Sequence, residues 1–302
     1  MAIAIRQADP APLGALQRER TVWQRLRQHR LAMAGLVFIV VLIALAVLAP
    51  VVAPADPNKQ DLFARLAPPG TPYDELGEGR YWLGADQLGR DVLSRVIYGA
   101  RISLLVGFVA EGIVLLIGVT LGALAGYYGG RVDRAIMRTA DVLFAFPDLL
   151  FAIAVTFALG GGLMSLFIAL SVVGWAGMAR LTRSQVLALK ERDFVEGARA
   201  VGAGDRRVLF RHILPNAAGP IIVAATLGIP GAIMSEASLS YLGLGVQPPT
   251  PTWGAMIYEG RVYLRHAPWM SLAPGAMIML TVLAFNLLGD GLRDAFDPRS
   301  RR

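Results

Sequence analysis

The stretch EGARAVGAGDRRVLFRHILPN, residues 196–216, lies between two apolar runs and reads like neither. Leu187, Phe194, Val195, Ala198 and Val201 fall on one helical face. Gly202 and Gly204 then permit a sharp reversal. Asp205 is placed to act as the N-cap of a second helix. In that helix Leu209 pairs with Ile213, and Phe210 with Leu214, at i,i+4 spacing, and Pro215 limits how it continues. The local chemistry therefore predicts helix, glycine elbow, helix. A plain loop would suffice to join two apolar runs, so a bent element with an apolar ridge implies a body pressing on it.

The rest of the chain says where that element sits. It has 302 residues, 55% hydrophobic and 17% charged, with mean hydropathy +0.53. A soluble domain carries about 25% charged residues, so the deficit points to a membrane protein. Six runs are long enough to cross the hydrocarbon core, near 31–53, 102–126, 140–159, 163–179, 217–238 and 271–290. The expected fold is an all-α bundle of six transmembrane helices. The fifth contains Pro220 and Pro230 and is expected to kink against neighbours.

Orientation follows from the basic residues, 27 of 29 of which are arginine. The six-span reading puts 21 of them in the arm 1–30, the links after the second and fourth spans, and the tail 291–302. Only eight fall on the other side, where the 56–101 loop offsets them with seven acids. Both termini are therefore expected in the cytoplasm. The pI near 10.1 is explained by arginines at span ends, with no nucleic-acid partner. The first apolar run exceeds the usual signal-peptide core, so 31–53 is expected to be a retained anchor.

The outer loop 54–101 opens rich in proline and acids and closes with Leu88, Val92, Leu93, Val96 and Ile97 at helical spacing. Arg90, Asp91 and Arg95 take the opposite face. This reads as an interfacial amphipathic helix or as a docking surface for an outside partner. Trp253, Tyr258, Tyr263 and Trp269 suit an interfacial aromatic belt.

Catalytic chemistry is not evident. There is no cysteine, and neither Lys59 nor Lys190 lies in a phosphate-binding loop. His29, His212 and His266 fall on different segments and offer no shared metal site. The chain is expected to be non-catalytic. Glu111, Asp148 and Glu236 fall in or near spans, where acids are costly. They read as helix contacts, as a polar cavity wall or as a proton relay. Asn286 and Asp290 are expected to bond at the end of the last span.

These residues carry a resemblance. Residues 196–216 resemble the cytoplasmic EAA loop of ABC importer permeases, E-A-A-x3-G followed by a spacer and Leu-Pro. Glu196, Ala198, Gly202, Leu214 and Pro215 match; Gly197 replaces the first alanine, and His212 stands where many members carry an aliphatic residue. WLGADQLGRDVLSRVIYGARISLLVG, ADVLFAFPDLL, SYLGLGVQPPTPTWGAMI and LTVLAFNLLGDGLRDAFDPR are similar to the C-type permease of the dipeptide/oligopeptide/nickel importer group. The resemblance implies a type I importer bundle, five core helices within 102–290 plus the first span. It implies a prokaryotic inner-membrane complex: a B-type permease, two cytoplasmic ATPases and an extracytoplasmic solute-binding protein.

No cofactor would bind this chain, because ATP and magnesium would be held by the ATPases. The coupling loop 180–216 would dock on an ATPase. Val195, Ala198 and Val201 would give apolar contact, Glu196 and Arg199 polar anchors, and Gly202 the elbow, with Gly197, Asp205, Leu214 and Pro215 completing the motif. The cargo implied is a di- or oligopeptide, although nickel chelate, glutathione and some sugar systems use a similar subunit. An ion-coupled secondary transporter using Glu111, Asp148 or Glu236 is the alternative.

Overall fold

In hydrocarbon a backbone can satisfy its polar groups only internally, so apolar runs of this length should be helices. The computed structural model, which describes residues 21–73 and 79–297, shows that they are. The basic arm 1–20, Asp74, Glu75, Glu78 and the tail arginines 299, 301 and 302 lie outside the described residues.

A short helix α1 (Val22–Leu26) is closed by a Thr21–Gln24 capping box. The first span, α2 (Arg30–Val47), starts where the His29 side chain accepts the Ala32 amide at 3.2 Å. It ends earlier than the expected residue 53. Pro50 has no N–H to return to Ala46, and a separate turn, α3 (Ala49–Val52), takes over. The segment between α3 and the next helix holds a short antiparallel pair, β1 (Thr71–Pro72) with β2 (Arg80–Tyr81).

The amphipathic stretch expected to lead into the second span is one helix with it, and its polar face is buried. α4 runs unbroken from Val92 to Tyr128, with Asp91 capping it through the Ser94 amide at 2.7 Å. Arg90, Asp91 and Arg95 do not face water; each is at most 3% exposed.

The expected third span is also different. It is a bent pair, α5 (Gly130–Phe144) and α6 (Asp148–Ala158), meeting at 91°. Pro147 sits at the break and cannot donate an amide to a continuing helix. α5 carries Arg131, Asp133, Arg134 and Arg138, which suit an interface better than a bilayer interior.

α7 (Gly162–Lys190) is longer than the expected 163–179. α8 (Asp193–Ala200) and α9 (Asp205–Arg207) follow, then a π-turn over Val208–Ile213 and the span α10 (Leu214–Tyr241). Pro215 does not stop the chain. The wider π-turn lies immediately before the proline, and the helical run Asp205–Tyr241 continues through it. α11 (Trp253–Gly260) follows at the end of the bundle where α4 begins, and α12 (Trp269–Phe296) completes it.

Glycines on α4 define how the helices pack. A side chain at Gly118 would meet Met178, 2.6 Å away; Gly122 abuts Ala179 and Thr182; Gly126 abuts Val186 at 2.8 Å. Residue numbers rise together on both helices, so α4 and α7 run parallel, backbone close to backbone. A parallel pair must be joined by a segment that returns the chain to the starting side. The bent pair α5–α6 is therefore the sixth crossing. On α10 the order is reversed: Ser103 meets Glu236 and Gly107 meets Ile233, so α10 is antiparallel to α4. Gly219 meets Phe296 and Gly289 meets Leu227, making α12 antiparallel to α10.

The main core joins Ile39 and Leu42 of α2, Leu104 of α4, Ile233 of α10, Trp253 of α11 and Phe285 of α12. At one end of the bundle Leu26 and Ala32 pack on Ala295, and Arg25 donates to the Ala295 carbonyl at 3.3 Å. The described beginning and end of the chain thus share a face with α8. Two side-chain expectations fail here. Trp253 is fully buried, its indole donating to the Val96 carbonyl at 3.0 Å, and is no belt residue. Asn286 and Asp290 are exposed positions within α12, which runs on to Phe296, and so are not at its end.

Candidate coupling surface and intramembrane cavity

The segment 193–214 is built as a short strut on the ends of α4 and α7. Val195 is its root. It is fully buried among Ala123 of α4, Val186 of α7 and Val208, Leu209 and Ile213. Burying a valine contributes about 1.5–3 kcal/mol. That burial corrects the expected role of Val195: its side chain is already spent on its own fold and has no free surface. The outward apolar groups are Phe194, Val201 (85% exposed) and Phe210, with Ala198 half-buried.

Between α8 and α9 the chain reverses at Gly202, whose φ of +84° strongly favours glycine. Asp205 is not the N-cap; Gly204 is, and Asp205 opens the helix. Its carboxylate instead accepts the Tyr127 hydroxyl at 2.7 Å, and the Arg199 guanidinium lies 5.9 Å from the Tyr127 ring. The elbow is therefore tied to α4 on its polar side as well as through Val195. Glu196, Gly197 and Pro215 are exposed, and Leu214 is half-buried against the strut. Beside it Arg183 forks onto Asp133 at 2.5 and 2.6 Å, locking α7 to α5. The base of α8 is therefore packed on α4, α7 and the turn that opens α10.

The spans' acids separate into two environments. Glu236 is fully buried and accepts from Ser240 at 2.7 Å and Ser103 at 3.4 Å, a contact joining α4 and α10. Glu111 and Asp148 come together instead in a cavity of about 250 Å³ with Ser235, Gly174 and Gly228. The sequence placed all three acids alike.

A family model described as "Binding-protein-dependent transport system inner membrane component" matches residues 118–302. This chain belongs to that family. A second model, the "N-terminal TM domain of oligopeptide transport permease C", matches residues 20–69 of the permease. The di/tripeptide transport system permease protein DppC of Pseudomonas aeruginosa is 45% identical, covering 96% of this chain and 93% of the relative. The glutathione transport system permease protein GsiD of Pectobacterium atrosepticum is 48% identical over 93% and 91%. The dipeptide transport system permease protein DppC of Bacillus subtilis is 43% identical over 98% and 91%. Among solved structures, a chain of the MetNI methionine ABC transporter in an inward-facing conformation shares the fold at 20% identity. Its TM-score is 0.55, covering 67% of this permease and 97% of that chain.

One cluster in the permease escaped the sequence reading. Asp86 binds Arg90 at 2.6 Å and Arg95 at 3.4 Å, and Glu259 of α11 binds the same arginines at 2.8 and 3.5 Å. Gln87 adds a bond to Glu259 at 3.1 Å, and Arg95 reaches the Pro57 carbonyl at 3.4 Å. The network pins the loop before α4, and α11, to the start of α4. The helical spacing of these charges was legible; Glu259, more than 160 residues on, was not. Beside it, burial and the Asp91 charge push the Tyr73 hydroxyl up to about 12.

Proposed function

We propose that this permease forms half of the translocation path of an ATP-driven importer of di- or oligopeptides. Its partners are a second, B-type permease, two ATPases that hold ATP and magnesium, and an extracytoplasmic solute-binding protein. The peptide cargo rests on the names of the relatives, 43–48% identical over nearly their whole length. Both termini, with α8, face the cytoplasm, in keeping with the arginine excess on that end of the bundle.

The observation that carries the coupling role is the strut. Exposed Phe194, Val201 and Phe210 stand on a base fixed by Val195 and the Tyr127–Asp205 bond. An exposed apolar group on a rigid mount is suited to seat in a partner's groove. Glu196 and Arg199 rim it, and the Gly202 elbow sets its angle. ATP-driven closure of the ATPases then moves α4, α7 and α10 together.

Gly202→Asp and Glu196→Lys test this in membrane vesicles carrying the whole importer. Both should leave ATP hydrolysis measurable while uptake falls. Wild-type uptake in both variants would refute the docking role. Uptake that collapses with a protonophore at constant ATP would instead favour an ion-coupled carrier.

A further inference from the structure

The cavity between α4, α6, α7 and α10 is left without a task by the coupling mechanism. Glu111 lines it, is only 9% exposed, and makes no hydrogen bond or ion pair among the described residues. Room for its carboxylate comes from Gly228 on α10, since any side chain there would collide with the Glu111 carboxyl group. Asp148, at the α5–α6 break, supplies a second acid to the same wall, and Ser235 a hydroxyl. No lysine, arginine or histidine lines the cavity among the described residues. The other lining groups are alanine, valine, leucine and glycine. A buried carboxylate without a counter-charge in an apolar setting is costly, and a cation that enters offsets that cost.

We propose that this cavity is a cation subsite of the translocation path, in which Glu111 receives the ammonium group of the passing cargo and Asp148 stands at its mouth. The inference rests on the peptide reading above, which supplies a cargo with one positive end. A cavity of about 250 Å³ is below the usual range for whole-ligand pockets. It fits the end of a peptide rather than its full length. Selection here would act after capture outside, by drawing the amino end into the bundle first.

The test uses the complete importer in proteoliposomes. A panel of di- to tetrapeptides identifies one that the wild type transports, and its N-acetylated form is the control. A hydrophobic carbodiimide labels Glu111, read by mass spectrometry. The free-amine peptide should protect Glu111 and the acetylated form should not. Glu111→Gln should lower ATP-driven uptake about tenfold, the loss expected for one charge-assisted contact, and Glu111→Asp should restore most of it. Subunit co-purification and ATP hydrolysis should not change.

Equal protection by both peptides, no labelling of Glu111, or wild-type uptake in Glu111→Gln would overturn the subsite. Loss of the second permease from purified Glu111→Gln would assign the residue to the subunit interface and overturn it too. If the wild type moves no peptide of the panel, the functional reading fails, and this inference with it.

Discussion

Tyr127, near the last turn of α4, donates its hydroxyl proton to Asp205 at 2.7 Å, across 78 residues of sequence. This bond and the burial of Val195 hold the elbow of the proposed coupling strut to a membrane span. The bond is exposed, so its net worth should be about 0.5–1.5 kcal/mol. Tyr127→Phe keeps the ring near Arg199 and removes the hydroxyl that bonds Asp205 and faces the Arg199 guanidinium. It should raise amide exchange across 193–210 and leave the melting temperature of the complex nearly unchanged. Unchanged exchange would show that Val195 holds the strut alone.

Glu259 should be a sensitive position at the start of α4. Glu259→Ala leaves Arg90 and Arg95, both nearly fully buried, with Asp86 as their one remaining carboxylate and the Pro57 carbonyl as a neutral acceptor for Arg95. Breaking such a network from one side costs about 3–5 kcal/mol. Thermal unfolding in detergent should show a drop of several degrees. Adding Arg95→Met should recover part of it, because a buried charge is then replaced by an apolar chain of similar length.

The contact between α4 and α7 depends on three missing side chains. Gly122→Val would press a branched side chain onto the Ala179 carbonyl and Thr182. Overpacking of this kind costs about 1–3 kcal/mol. Lower yield of folded complex and a lower melting temperature are expected. The same substitution at Gly177, where an added Cβ meets nothing within 4 Å, is the control and should be tolerated.

Gly197 and Gly202 should respond oppositely to alanine. A Cβ at Gly197 meets nothing within 4 Å and falls inside α8. Gly197→Ala, which restores the familiar alanine of the EAA pattern, should stabilise the helix by about 0.5–1 kcal/mol and leave uptake intact. Gly202→Ala meets equally open space but must hold φ near +84°. It should reduce uptake through the elbow's angle. Exchange protection of α8 separates the two effects.

Raising pH should loosen the loop before α4 late. The Tyr73 hydroxyl is shifted from 10.0 up to about 12 by burial, then by the Asp91 charge. Its folded pKa lies above its unfolded one, so its contribution is complete below pH 10 and is lost as pH rises towards 12. Ultraviolet difference titration of wild type against Tyr73→Phe should show one phenol ionising about two units late. A missing tyrosine ionising near 10 would refute the shift.

Five spans were legible because lipid leaves no choice: an apolar run of sufficient length must satisfy its own backbone, and that means a helix. The reversal at Gly202 was legible for a similarly local reason, since few residues accept a positive φ. The absence of cysteine excluded thiol chemistry, and the contexts of Lys59 and Lys190 offered no phosphate-binding loop.

Tertiary structure decided what depends on partners distant in sequence. Hydropathy is blind to a 91° bend at Pro147, because the runs 142–146 and 149–155 that flank it are both apolar. The same helical period describes Arg90 and Arg95 whether they face water or Glu259. The period that grouped Val195 with Val201 could not tell that one is wholly buried and the other exposed. Three acids with the same local context, Glu111, Asp148 and Glu236, divide into a cavity wall and a packed hydrogen-bond network only when α4, α6 and α10 are brought together. Local chemistry sets which conformations a segment may adopt, and packing sets which face of it is left free.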